Sequence, residues 1–250
     1  MKRESDANYM QTAGRAMEIL NCFMKGEPLS LTAIAKRTGL SPSVTFRLLY
    51  TLMEHGYVRQ LRGSKLYFIG DRAVLLGLTG MNGQKIVRVG YDLIWEWARQ
   101  TGHSIIISAP FDNRAVVVAR INTLQDDRDM TYTGRSAPLH LGASQRILLA
   151  YMSEEARNAY VDSLFIERSA KAALLQELDT IRERGYDYTE GMLTKGVWAL
   201  ALPIFHISRE IAGAVCTSGV IGETGGEEIE EYLVQLRQLQ TLLQEKMDTE

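Results

Sequence analysis

Seven side chains in the first third of the chain have types and spacing suited to holding a polyanion: Ser41, Ser43, Phe46, Arg47, Tyr50, Arg62 and Lys65. In a helix that begins after Ser41, the 100° step places Ser43, Phe46, Arg47, Tyr50 and Glu54 on one side. Val44, Thr45, Leu48, Leu49 and Leu52 fall on the other and need a core. The polar side offers a hydroxyl, a guanidinium and two aromatic rings. Such a face suits the major groove of double-stranded DNA, where arginine pairs with guanine through two hydrogen bonds or holds a phosphate. Ser41 and Ser43, beside the free amides of a helix start, suit phosphate as well. Arg62 and Lys65 follow closely enough to reach the flanking backbone or minor groove. Charge agrees with this reading. Residues 1–75 hold 11 Lys and Arg against 6 Asp and Glu, a net +5, while the remainder holds 17 against 24, a net −7. The competing reading is a protein-interaction module in which Arg47 merely pairs with Glu54 or Asp71.

A second group lies far along the chain. In a strand from Ile211 to Ser218, strict alternation puts Ala212, Ala214, Cys216 and Ser218 on one face. Small residues with two polar tips can line a compact ligand site, and they can equally allow close packing beneath a helix; both readings stand. Other chemistry is absent from the pattern. His55, His103, His140 and His206 have no metal-ligand spacing, and no phosphate-cradling glycine loop occurs. His140 is expected to hydrogen-bond structurally, and no cofactor or metal is expected. The two cysteines, Cys22 and Cys216, form no disulfide framework and no zinc motif.

The elements that must position these groups can be read from periodicity. Thr12–Lys25, Leu31–Arg37 and Ser41–His55 read as helices, with Ser30 and Ser41 as N-caps, Pro42 at a first helical position and Gly39 as a C-terminal stop. Tyr57–Leu61 and Lys65–Ile69 alternate around Arg62-Gly63-Ser64 and read as a hairpin. Three helices and a hairpin make a winged helix. A linker helix from Asp71 to Leu78 then meets a glycine-bearing stretch, Thr79 to Gly83, which is the expected boundary. Beyond it come helices at 84–100, 142–152, 154–163, 171–184 and 227–247, and strands at 104–109, 114–121, 199–206 and 211–218. This order gives an α+β class: a winged helix-turn-helix at 1–70, a linker at 71–83 and an antiparallel-sheet domain at 84–250. Trp95 and Trp97 fall on different helix faces, so at least one is expected to meet a neighbouring subunit or the first domain.

Hydrophobic content of 46% and charged content of 23% over 250 residues describe a globular chain with a sizeable core. No apolar run approaches the roughly 18 residues of a membrane span, and no secretory leader opens the sequence, so a cytoplasmic protein is expected.

The run from Leu29 to Val58 resembles the helix-turn-helix of the IclR family of bacterial regulators, as do Gly14 to Leu20 before it and Tyr67 to Gly70 after it. Farther on, Gly134 to His140, Leu148-Leu-Ala150, Arg184-Gly-Tyr186, Gly196, Pro203 and Ser218-Gly219 keep that family's order. The resemblance implies a GAF-like effector domain, pairing through the first domain and linker helix, and tetramers on an operator. It also implies effector contacts at Gly142, Ala143, Thr189, Ala199, Cys216 and Ser218. Here Thr189, Ala199 and Cys216 stand where the family has Asp-, Cys- and Ser-type positions, Gln145-Arg146 replaces Gly-Lys, and Met192 replaces Glu. These departures predict a less polar pocket. The expected effector is a small neutral or weakly acidic metabolite, sugar-derived or aromatic, held against the 214–216–218 face. The implied function is operator binding modulated by that effector, in control of a catabolic operon. The alternative is a thiol-redox or enzymatic GAF-like domain fused to an interaction module.

Overall fold

The computed structural model describes residues 9–24, 26–61, 63–82, 85–121 and 132–249. The chain divides into two compact units, residues 1–81 and 82–250.

The first unit holds α1 (Gln11–Asn21), β1 (Leu29–Ser30), α2 (Leu31–Thr38), α3 (Pro42–Glu54), β2 (Val58–Gln60), β3 (Leu66–Ile69) and most of α4 (Asp71–Asn82). Ser30 Oγ accepts the Ala33 amide at 3.2 Å and Ser41 Oγ accepts the Val44 amide at 3.4 Å, so both helices start where their caps predict. Gly39 closes α2 in the left-handed region, at φ +69°. Ile19, Phe23, Ile34, Leu48, Leu49 and Leu52 form the core of the unit. The wing is a three-stranded antiparallel sheet in the order β1-β3-β2, not a bare hairpin. Leu29 and Ser30 pair with Tyr67 and Leu66. Two residues are too short to show alternation, so this strand leaves no periodic signal. α4 continues through Asn82, four residues beyond the expected stop at Leu78. A glycine inside a helix costs only about 1 kcal/mol, and Gly80 does not end this one.

The second unit is a six-stranded sheet in the order β6-β5-β4-β9-β8-β7, antiparallel throughout. Its strands are β4 (Ile105–Phe111), β5 (Arg114–Ile121), β6 (Ser136–Pro138), β7 (Asp187–Glu190), β8 (Val197–Phe205) and β9 (Ile211–Val220). Side chains alternate between two cores. On one face Ile105, Ile107, Leu202 and Val215 pack with α5 (Lys85–Thr101) and α9 (Gly226–Thr249). On the other, Ile106, Val117, Ala201 and Ala214 pack with α6 (Ala143–Tyr151), α7 (Glu154–Asp162) and α8 (Arg168–Arg184). The edge strands β6 and β7 escape sequence reading because they are short and carry Pro138 and a buried Asp187.

Two bulges set which side chains face which core. Phe205 pairs with Ile211 and Ile204 with Gly213, which leaves Ala212 as an extra residue. Ala212 therefore joins Val215 in the α5/α9 core, away from Ala214 and Cys216, and the expected four-residue face is broken. Likewise Ile107 pairs with Ala119 and Ser108 with Val117, leaving Val118 between them. On the α5/α9 face Trp198 stacks on Tyr232 at 5.7 Å and 12°. It also lies so close to Gly219 that a Cβ there would sit 2.7 Å from the indole. Trp97 is buried and donates to the Gln235 carbonyl at 3.3 Å, whereas Trp95 is 49% exposed.

Candidate functional site

Two places have the geometry of binding sites, one in each unit. In the first, α3 buries Thr45, Leu48, Leu49 and Leu52 and exposes Ser41, Ser43, Phe46, Arg47 and Tyr50, as its periodicity requires. Phe46 and Tyr50 are 53% and 55% exposed, unusual for rings on a helix with a core to join. The Thr45 hydroxyl turns back onto the Ser41 carbonyl at 3.0 Å and fixes the first turn. Among the described residues Arg47 has no ion-pair partner, so the pairing with Glu54 or Asp71 does not form. Phe46, Arg47 and Tyr50 border a groove shared with Thr12 and Arg15 of α1, with a volume of about 600 Å³. Arg15 was not singled out by sequence, since its helix carries no recognition pattern of its own. Lys65 is exposed just before β3, and Arg62 lies outside the described residues.

In the second unit a small cavity of about 50 Å³ lies between the sheet and the start of α6. Gly142, Ala143, Thr189, Ala199, Cys216 and Ser218 line it. Thr189 pairs with Ala199 and Ala199 with Ser218, so these three occupy one row across β7, β8 and β9. Ala214 does not line the cavity. It is fully buried in the core that α6 forms with the sheet, beside Ile147 and Leu148, and alternation alone does not register how far a helix covers a strand. Gly142 caps α6 at φ 94° and ψ 160°, a region essentially reserved for glycine. A side chain there would also meet Gln145 Oε1 and Leu193 Cβ.

Five further polar residues line the cavity, Ser108, Arg135, Ser144, Gln145 and Thr194; of these, sequence reasoning names only Gln145, as a departure from the family pattern. Ser108 is 1% exposed, and its hydroxyl has no hydrogen-bond partner among the described residues. A buried hydroxyl left unpaired is costly, so it marks a place where a ligand or water is wanted. Arg135 brings a cation to the wall. The first-turn amides of α6 add partial positive charge, because a helix leaves them without carbonyl partners. The lining thus combines a guanidinium, helix-start amides and a buried hydroxyl with its apolar residues. His140 stays off the lining and bonds the Tyr160 hydroxyl through Nδ1 at 2.8 Å, and burial holds its pKa below the usual histidine value. Cys216 has no second thiol within its unit, because Cys22 belongs to the other.

A model of the IclR C-terminal domain of bacterial transcriptional regulators matches residues 80–242, and one of the IclR helix-turn-helix domain matches residues 12–62. The chain belongs to the IclR family. Among relatives of this IclR chain is the HTH-type transcriptional regulator KipR of Bacillus subtilis, 25% identical over 85% of this chain and 87% of the relative. The glycerol operon regulatory protein of Streptomyces coelicolor is 28% identical over 86% of this chain and 87% of its own. In fold it is similar to an IclR homolog from Microbacterium hydrocarbonoxydans complexed with 4-hydroxybenzoate, with a TM-score of 0.83 and 16% identity over 96% of this chain and 100% of that one. The protein is therefore a DNA-binding transcriptional regulator of the IclR family, a class of regulators and not of enzymes. No helix among the described residues is long and apolar enough to cross a membrane.

Proposed function

We propose that this regulator reads paired operator half-sites with Ser41, Ser43, Phe46, Arg47 and Tyr50. Lys65 and Arg62 touch the flanking backbone, and a small hydroxy- or oxo-carboxylate in the α6 cavity alters the grip. The observation that carries the ligand class is the orphan Ser108 hydroxyl beside the cationic start of α6. A carboxylate meets the first-turn amides and the charge of Arg135, and a second oxygen on the ligand meets Ser108. This narrows the neutral or weakly acidic metabolite expected from sequence to its acidic side. The structural neighbour that holds 4-hydroxybenzoate carries a ligand with both groups.

Self-association is part of the reading. Val74, Leu75, Leu76 and Leu78 of α4 are 48–59% exposed, a run that a homodimer would cover, and a tetramer follows by pairing dimers. Two half-sites supply the specificity that one winged helix lacks. A catabolic operon near its own gene is the proposed target, in the cytoplasm. The test is a thermal-shift titration with glycolate, benzoate and 4-hydroxybenzoate against their amides, followed by anisotropy on the DNA upstream of its gene. An acid at 100 times its dissociation constant should add about 2.7 kcal/mol of stability and change operator affinity. Equal stabilisation by acid and amide would overturn the carboxylate reading.

A further inference from the structure

Behind the cavity lies a charged cluster, centred on the buried Arg146 and Asp187, whose members do not line it. Arg146, on α6, is 8% exposed, and its guanidinium faces three other segments. It meets Asp187 Oδ2 of β7 at 3.1 Å and Glu177 Oε2 of α8 at 2.9 Å, and it donates to Met192 Sδ at 3.8 Å. Arg184 completes the cluster through the other oxygen of Asp187. Two arginines and two carboxylates leave it neutral, which lets a fully buried Asp187 exist there at all.

The chain positions matter more than the charges. Gln145, one residue before Arg146, lines the cavity; Thr189, two residues after Asp187 on the same face of β7, lines it; Leu193, one residue after Met192, lines it. Leu193 also lies against Gly142 at the start of α6. Segment 191–196 joins β7 to β8 and is bonded at its ends: the Gly191 amide donates to the Val197 carbonyl, the Val197 amide to the Thr194 carbonyl, and the Gly196 carbonyl accepts the Ile221 amide. Met192 and Leu193, between those anchors, take part in none of these bonds, and it is there that the Arg146 guanidinium reaches the segment, through Met192 Sδ.

We propose that Arg146 is the positioning residue of the cavity, a single guanidinium that keeps α6, β7 and segment 191–196 in register around the ligand. This rests on the α6 cavity being the effector site, but it is a statement about the walls and can be read without any ligand. Arginine suits the task because its planar fork addresses three directions at once, which a lysine ammonium on a flexible stem does not hold. A merely stabilising ion pair would lower the melting temperature when broken and loosen the unit evenly. A positioning residue loosens the walls first.

Amide hydrogen exchange by mass spectrometry on the full chain separates these. In Arg146→Met, peptides covering 188–198 should exchange about tenfold faster, while those covering 105–121 stay as in the wild type. Arg146→Lys, with the charge but not the fork, should fall between. Should Arg146→Met fail to fold, Met192→Ala leaves both ion pairs in place and should loosen 188–198 alone. Unchanged exchange in 188–198, or a rise of the same size throughout the unit, overturns the proposal. A 4-hydroxybenzoate arm on the wild type reports on the site itself. If 4-hydroxybenzoate leaves 188–198 unprotected while the variants still loosen it, the ligand reading fails and the positioning role stands.

Discussion

The two proposed binding regions are built in opposite ways. The reading face of α3 comes from one run of fourteen residues, 41–54, whose exposed side chains owe their direction to a single helix and their stability to the core on its far side. The cavity draws on all six strands of the sheet, the entry to α6, Arg135 and the segment 191–196. An exposed face can carry unpaired charge because water solvates it until DNA arrives. A cavity is more constrained: beside the lining Arg135, the charges of Arg146 and Asp187 sit behind the wall in a neutral cluster, and among the described residues the Ser108 hydroxyl is left unpaired within the same lining as the start of α6. Changing the first region should alter binding and spare stability; changing the second should alter both.

The widest separation between the regions should appear with pH. Burial pushes the Asp187 carboxyl up to about 6, against the pull of Arg146 and Arg184 and its bond to the Tyr188 amide. The charged groups facing it are Arg146 from α6 and Arg184 from α8, with Glu177 across Arg146. The folded state therefore holds a proton in a range where the unfolded chain, at the ordinary value of 3.8, has released it. Stability rises as pH falls from 7 toward 4, by about 3 kcal/mol, and is lost again as pH rises through 6. Chemical denaturation of residues 82–250 in wild type and Asp187→Asn should show this slope in the first and not in the second. A slope that survives the substitution assigns the proton elsewhere.

Arg47→Ala should weaken specific operator binding by about 1–3 kcal/mol and leave the melting temperature alone, because no ion pair holds its side chain. A gel-shift titration with wild-type affinity would remove α3 as the reader; a lost melting temperature would erase the contrast. Ser108→Ala should act in two directions. Deleting an orphan hydroxyl leaves the ligand-free unit as stable or up to about 1 kcal/mol more so, while carboxylate affinity falls by about 0.5–1.5 kcal/mol. Calorimetry on the two states checks both signs. The smallest effect is that of Lys65→Ala, which should weaken binding to all DNA sequences alike and reduce the salt slope by about one unit.

How much could be read in advance follows the same division. Helical periodicity carries α3 nearly whole: Ser41 caps, Pro42 starts, and the buried and exposed sets fall as 100° per residue requires. Alternation served the row Thr189, Ala199, Ser218 only because family resemblance supplied the pairing. Where the pattern was used alone, on β9, it failed at its first two positions, since a bulge turned Ala212 and α6 covered Ala214, while Cys216 and Ser218 line the cavity. Ser108 could not be found in Ile105-Ile-Ile-Ser108, because only three-dimensional accounting shows a hydroxyl without a partner. Arg146 was noticed as a departure from the family and read as lost polarity. Its burial against two carboxylates reverses that meaning.

The stacked Trp198 has a use beyond packing. Its neighbours in the chain, Val197 and Ala199, line the cavity, while its own ring lies on the opposite face of the sheet between Tyr188 and Tyr232. Gly219, pressed against that ring, is the residue after Ser218 of the cavity wall. A strand adjustment on the cavity side would have only the thickness of one sheet to cross to reach this indole, which is 1% exposed. An optical probe therefore sits one residue from the proposed ligand site, on the face a ligand would not touch. With Trp95 quenchable from solvent and Trp97 held by α9, the emission of the unmodified protein resolves into parts, and the part from Trp198 can be followed in real time without a label.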